Sequence, residues 1–233
     1  MKVRTCRDAI RFLDDAGLAY VFPDNKTPLP SLWGAVCGDP MREMDGDDWG
    51  WTKAVERTWD LKNEVGASLK GYFGRFVRGK GTLVALHLLE PLAALLREEG
   101  GLSSGARETY ERLGNVGAMS TLRLRESLRL HGTKGNRVFN KVTLELYRRL
   151  LIANVGVDGS ETRWPAAVID RLDRAHAPLV RRASKLPRAE AAAQVRRRLP
   201  RAEPRFLAAI TGVPAREWPS FAVPRDAKSG KRP

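Results

Sequence analysis

The 233-residue chain is short of the residues that ligate metals or staple a fold: it has two cysteines, Cys6 and Cys37, and three histidines, His87, His131 and His176. The cysteines form no paired motif, so the simplest reading is a reduced, intracellular chain. The histidines stand apart from each other and from cysteine, which excludes zinc spacing and makes a Ser-His-Asp arrangement improbable. Glutamine occurs once, at Gln194. Gly-x-Gly-x-x-Gly and phosphate-loop motifs are missing; Gly71 to Gly81 holds four glycines without the Lys-Ser/Thr signature. The most apolar run, Leu83 to Leu96, is interrupted by His87, Glu90 and Pro91 and cannot span a bilayer. The first residues, MKVRTCRDAIRF, lack the apolar stretch of a signal peptide. These absences lead us to expect no cofactor, no metal, no membrane contact and a cytoplasmic, nucleoid-associated location.

Acidic residues are also scarce. There are 41 Lys/Arg against 27 Asp/Glu, for a formal charge of +14 and a pI of about 10.4. The excess is localised. Residues 1–100 are net −1 (14 basic, 15 acidic), residues 107–150 net +6 (10 and 4), residues 151–177 net −1 (3 and 4) and residues 178–233 net +10 (14 and 4). A general bias toward arginine would not leave the N-terminal part neutral. The distribution favours a polyanionic partner, with double-stranded DNA the leading candidate. Protein partners are not indicated. Hydrophobic content of 42% and charged content of 29% fit a folded chain that can build a core without staples.

Local signals predict a mainly α fold with small β-hairpin wings. Residues 1–101 read as a Trp-rich helical domain. Thr5 and Asp8 form a capping box, Leu18–Phe22 a short strand, Ser31–Gly38 a short helix and Thr82–Leu96 an apolar helix broken or restarted at Pro91. Trp33, Trp49, Trp51 and Trp59 cluster there, and core packing is a better account of them than base stacking. Glu43, Asp45, Asp47 and Asp48 would suit a hard cation, but the match to a calcium loop is weak; a solvated acidic loop capping the next helix is the better account.

Residues 102–175 read as a winged helix-turn-helix: a helix capped by Ser103 or Ser104, strand-like residues near 115–120, a second helix capped by Ser120 or Thr121, a third from about Lys134 to Leu150, and a hairpin of Ile152–Val157 and Thr162–Val168. At 100° per residue, Phe139, Val142, Leu146 and Leu150 share one face of the third helix. Lys134, Arg137, Lys141 and Arg148 share the opposite face, with Asn140 to one side. Cations suit phosphates, and Arg or Asn can also pair with base edges. Arg163 in the wing, and Arg196 and Arg197 further on, complete the expected DNA-binding set. Residues 176–233 form a basic segment. Within it, 203–218 resemble a second, incomplete helix-turn-helix, which would make the arrangement tandem, and PRDAKSGKRP reads as a disordered cationic tail.

Four stretches carry a family resemblance: LPSLWGAV (29–36), WDLKNE (59–64), GYFGRFVRGKGTLVALHLLEP (71–91) and STLRLRE (120–126). Together they resemble the AlkZ-related, YcaQ-like winged-helix proteins, from about Cys6 into the 200s. The resemblance implies a DNA-binding scaffold related to repair glycosylases, whose catalytic motif is Gln-x-Gln or Gln-x-Asp. Here Gln194 is followed by Val195 and Arg196, so that motif maps to no position and no catalytic residue is assigned. The expected function is therefore a winged-helix DNA-binding protein without the family chemistry. Two alternatives stay open. One is a divergent glycosylase for alkylated or crosslinked bases, using a carboxylate such as Asp47, Asp48 or Asp60. The other is a transcriptional regulator or protein-interaction module.

Overall fold

The computed structural model describes residues 2–27, 29–48, 50–98, 100–159 and 165–218. The expected capping box opens α1 (Cys6–Ala16): the Asp8 amide donates to Thr5 Oγ1 at 3.2 Å, and the Thr5 amide donates to Asp8 Oδ2 at 3.0 Å. Then come β1 (Leu18–Tyr20), α2 (Leu32–Cys37, capped by Ser31) and α3 (Lys53–Ser68, capped by Thr52). They are followed by β2 (Gly71–Gly74), β3 (Thr82–Ala85) and α4 (Leu86–Leu96). The helix expected over Thr82–Leu96 thus starts only at Leu86, and its first four residues are strand. A strand buried on both faces and a buried helix share one continuous apolar signature, so periodicity cannot separate them. Pro91 lies inside α4 without breaking it.

The first sheet has the order β1-β3-β2, antiparallel throughout, with Leu18 opposite Val84 and Tyr72 opposite Val84 from the other side. Its alternating residues feed two cores. Ala19, Phe73, Leu83 and Ala85 pack with Leu13 of α1, Leu32 of α2 and Leu61 and Val65 of α3. Leu18, Tyr20, Tyr72 and Val84 face a second cluster built around Leu88, Leu89 and Leu92 of α4. A helix apolar on nearly every side must be covered on every side, and α4 touches β2 and β3 as well as helices from the C-terminal segment.

The chain continues through α5 (Ser104–Val116), β4 (Met119–Ser120), α6 (Thr121–Ser127), α7 (Gly132–Arg148), β5 (Ile152–Asp158) and β6 (Ala166–Arg171). The second sheet has the order β4-β6-β5, again antiparallel, with an irregularity between Asn154 and Gly156. A third core joins Tyr110 and Leu113 of α5, Leu124 of α6, Phe139, Val142 and Leu146 of α7, and Ile152 and Ile169 of the sheet. Ser103 caps α5 and is itself clasped by Glu145 of α7, donating from its amide at 3.0 Å and from Oγ at 2.6 Å. Burial works to raise the Glu145 carboxyl, but the Ser103 hydrogen bonds and the charge of Arg149 hold it below its ordinary value.

Four helices finish the described chain: α8 (Leu172–Ala175), α9 (Ala177–Ala183), α10 (Arg188–Arg198) and α11 (Pro204–Thr211). α9, α10 and α11 pack on α4, so residues from all three expected segments meet in one core, among them Leu88, Leu150, Leu179, Val195 and Leu207. The helix expected after Pro214 is a single 3-10 turn, Ala215–Glu217; Trp218 then folds back and donates from Nε1 to the Val213 carbonyl at 3.2 Å. Two polar clasps hold the junctions. Arg149 donates to the carbonyls of Glu98, Gly100 and Gly101 at 3.2, 2.5 and 3.1 Å, fixing the segment before α5. Asp173 accepts from Arg97 at 2.9 Å and from Arg171 at 3.0 and 2.6 Å; burial would raise its carboxyl, but these guanidiniums hold it below the usual range.

The N-terminal helices and the second sheet meet at α3 and β5. A Cβ placed on Gly66 would lie 2.8 Å from the Asn154 carbonyl oxygen, a backbone atom that cannot swing away. Gly66→Val should therefore force the two elements apart and destabilise the chain by about 1–3 kcal/mol. Urea unfolding monitored by tryptophan fluorescence checks this; a variant as stable as the parent would show that the approach is not tight.

Candidate nucleic-acid interface

A cleft of about 640 Å³ opens between α3 and β2 on one side and α6 and α7 on the other, with the β5–β6 hairpin closing one wall. Its floor is a buried hydrogen-bond chain. Tyr147 of α7 donates to Asn154 Oδ1 at 2.9 Å, and Asn154 Nδ2 donates to the Phe73 carbonyl of β2 at 3.3 Å. Burial pushes the Tyr147 hydroxyl well above its ordinary value, so it stays a donor. Thr143 satisfies itself on the Phe139 carbonyl one turn back, at 2.7 Å.

The rim is cationic. Arg75 donates to Asn140 Oδ1 at 3.1 Å and to the Gly79 carbonyl at 3.2 Å, bridging from β2 to α7. Arg125 of α6 hydrogen-bonds Asn136 of α7. With Lys62 and Lys80 they give four cations, and no carboxylate is among the described lining residues. Lys62 is the unusual one. It is only 7% exposed, its Nζ sits 3.9 Å from the Trp59 ring centroid and 4.9 Å from that of Phe73, and it donates to Asn63 Oδ1 at 2.6 Å. Burial pulls its ammonium down to about 8, with the Asp60 charge opposing.

The expected site residues fall in four places. Lys134, Arg137 and Lys141 are exposed on α7, outside the cleft. Asn140 lines the cleft. Arg148 is exposed but belongs to a second cavity of about 1290 Å³, shared with Arg78, Arg198, Arg201 and Arg205. On α10, Arg197 is exposed, whereas Arg196 is half-buried and donates to the Ala202 carbonyl at 2.6 Å. Arg163 lies outside the described residues, as do Trp49 and the C-terminal tail.

The carboxylates weighed as alternative catalysts are not in the cleft. Asp48 is held by Arg42 at 3.0 Å and accepts from the Asp45 amide at 3.3 Å, while Asp45 accepts from the amides of Asp47 and Asp48 at 3.2 and 3.3 Å. The acidic stretch is thus a self-bonded 3-10 turn, Gly46–Asp48. Asp60 is exposed on α3. Gln194 donates to Glu190 on α10 at 3.3 Å and lines neither cavity. Lys62, Arg75 and Lys80 are the residues that sequence reasoning did not single out. The available signal was the spacing of Trp59, Lys62 and Asn63 at i, i+3 and i+4 within WDLKNE, which puts them on one helical face.

The depressed Lys62 ammonium has a measurable consequence. Between pH 8 and about 10.4 the unfolded chain keeps a proton that the folded chain has given up, so stability rises with pH through that window. Below pH 8 both states are protonated and the contribution is flat. The stability of the parent relative to Lys62→Met should therefore increase from pH 8 to pH 10 in denaturant titrations. A difference independent of pH would mean that Lys62 titrates as an ordinary lysine.

A search of curated proteins and a search of solved structures each returned no match to the chain. No described helix is long and apolar enough to cross a membrane. The four motifs that resembled one family do have a counterpart at the level of whole families: the model of the AlkZ-related family matches residues 3–208, and the chain belongs to the AlkZ-related family.

Proposed function

We propose that this chain binds double-stranded DNA through a winged helix formed by α5 to β6, in a repair-related role and without the glutamine chemistry of glycosylase relatives. The observation that carries the reading is the outer face of α7, where Lys134, Arg137 and Lys141 are exposed beside a cleft whose described lining residues include cations and no carboxylate. Family membership supports DNA as the partner. The winged helix is supported by the element order helix, short strand, helix, helix, hairpin, and by the sheet order β4-β6-β5. In this reading α7 enters the major groove. Arg197 and its neighbours on α10 add phosphate contacts, and the wing follows the adjacent backbone. A divergent glycosylase is the second reading. The cleft beside α7 favours it, although Asp47, Asp48 and Asp60 lie outside the lining.

Phosphate neutralisation makes affinity fall steeply with salt, by about 0.9 in the log–log slope per contact. Duplex affinity measured by fluorescence anisotropy should show that dependence. The triple variant Lys134→Ala, Arg137→Ala, Lys141→Ala should bind more weakly to every sequence and flatten the slope by about 3. No duplex binding at low salt would overturn the proposal. Base release from alkylated or crosslinked duplexes by the purified chain would move the weight to the second reading.

A further inference from the structure

We infer that Lys62 is an amine nucleophile that forms a Schiff base with the ring-opened deoxyribose aldehyde of an abasic site held in the cleft. The inference rests on the reading of α7 as a duplex-binding helix. Trp59, Lys62, Asn63 and Gly66 recur at i, i+3, i+4 and i+7 on α3, so they share one face. Gly66 presses that face against β5, which aims the other three into the cleft. Lys62 Nζ lies over two aromatic rings and donates to a neutral amide, and no carboxylate among the described residues is within ion-pair distance. A lysine buried for packing alone is ordinarily matched by a carboxylate, because an unpaired buried cation is costly. Lysines that attack carbonyls are instead kept desolvated or beside other cations, which raises the neutral fraction. The first condition holds here: Lys62 is buried with its Nζ against the rings of Trp59 and Phe73, in a cleft that Arg75, Lys80 and Arg125 also line. Among the described lining residues Tyr147 is a further titratable group, and Asp60 lies on the same helix.

The cleft has the volume of a small-molecule site, enough for one extruded nucleotide residue. A duplex seated on α7 would bring its sugar-phosphate backbone to the rim. The one strong electrophile that a DNA backbone presents is the C1′ aldehyde left where a base is missing. The neutral amine adds to C1′ and its proton passes to the aldehyde oxygen. The carbinolamine hydroxyl then takes a proton from solvent and leaves as water, and the nitrogen lone pair forms the C=N bond of the protonated imine. Loss of the C2′ proton to water, with departure of the 3′ phosphate on the C3′–O electron pair, breaks the strand, and water hydrolyses the imine to free Lys62. The leaving phosphate departs beside the Arg75 and Arg125 guanidiniums.

The test uses the full chain, a duplex with one aldehydic abasic site, and sodium cyanoborohydride to reduce the imine to a stable amine. The expected result is a covalent protein–DNA adduct that peptide mass spectrometry places on Lys62. Lys62→Arg and Lys62→Met should lose it, whereas Lys70→Met, which removes an exposed lysine next to α3, should not. Mapping on the parent chain keeps the test valid even if the Lys62 variants fold poorly. Parallel binding to a duplex carrying the tetrahydrofuran analogue, which lacks the aldehyde, separates the two readings. Binding with no adduct, or with an adduct mapped elsewhere, overturns the Lys62 inference alone. Absence of both binding and adduct overturns it together with the duplex-binding proposal.

Discussion

The candidate interface depends on how closely α3 approaches β5. At Gly66 the helix has no side chain, and the Asn154 carbonyl occupies the space that one would need. That contact brings the N-terminal sheet within hydrogen-bond reach of the second sheet, so Asn154 can bridge Tyr147 of α7 to Phe73 of β2. The width of the cleft, the burial of Lys62 and the span of the Arg75–Asn140 bridge all follow from it. A buried amide with both ends satisfied also fixes orientation as well as distance, because each donor and acceptor has one direction in which it is met.

Charge in this chain is sorted by partnership as well as by sequence position. Several carboxylates act as internal clasps. Asp173 gathers Arg97 and Arg171, Glu145 holds the start of α5, and Asp48 holds Arg42. Glu145 also feels the charge of Lys141 on α7, whereas Asp173 and Asp48 are engaged away from the cleft lining. The net charge of +14 therefore understates the local field along that side, where positive groups stand together over low-dielectric walls.

What could be read in the sequence was what is decided locally. Thr5, Ser31, Ser103 and Ser120 cap helices because a hydroxyl meets an amide three residues on, a feature visible in any short window. The two-faced character of α7 was equally legible: Phe139, Val142 and Leu146 are buried and Lys134, Arg137 and Lys141 exposed, since one helix in contact with one core shows its period. β3 was hidden because both its faces are covered. The short 3-10 turn after Pro214 was hidden because Trp218, distant in no sequence sense, turns back onto Val213 instead of extending a helix. Lys62 was hidden for a different reason. A single lysine in a polar helix looks solvated until Phe73 arrives from another strand and Trp59 lies across it.

The doubly covered first sheet has a consequence for synthesis. Its far face and the helix α4 are closed by Leu179, Val195, Leu207 and Ile210, more than eighty residues downstream. At ribosomal speeds of about 5–20 residues per second, that apolar surface stays open for roughly 4–20 seconds after α4 has emerged. The nascent chain therefore passes through a stage in which a leucine-rich helix waits for its cover. A ribosome that stalls before α10 would leave an aggregation-prone fragment rather than a smaller working protein.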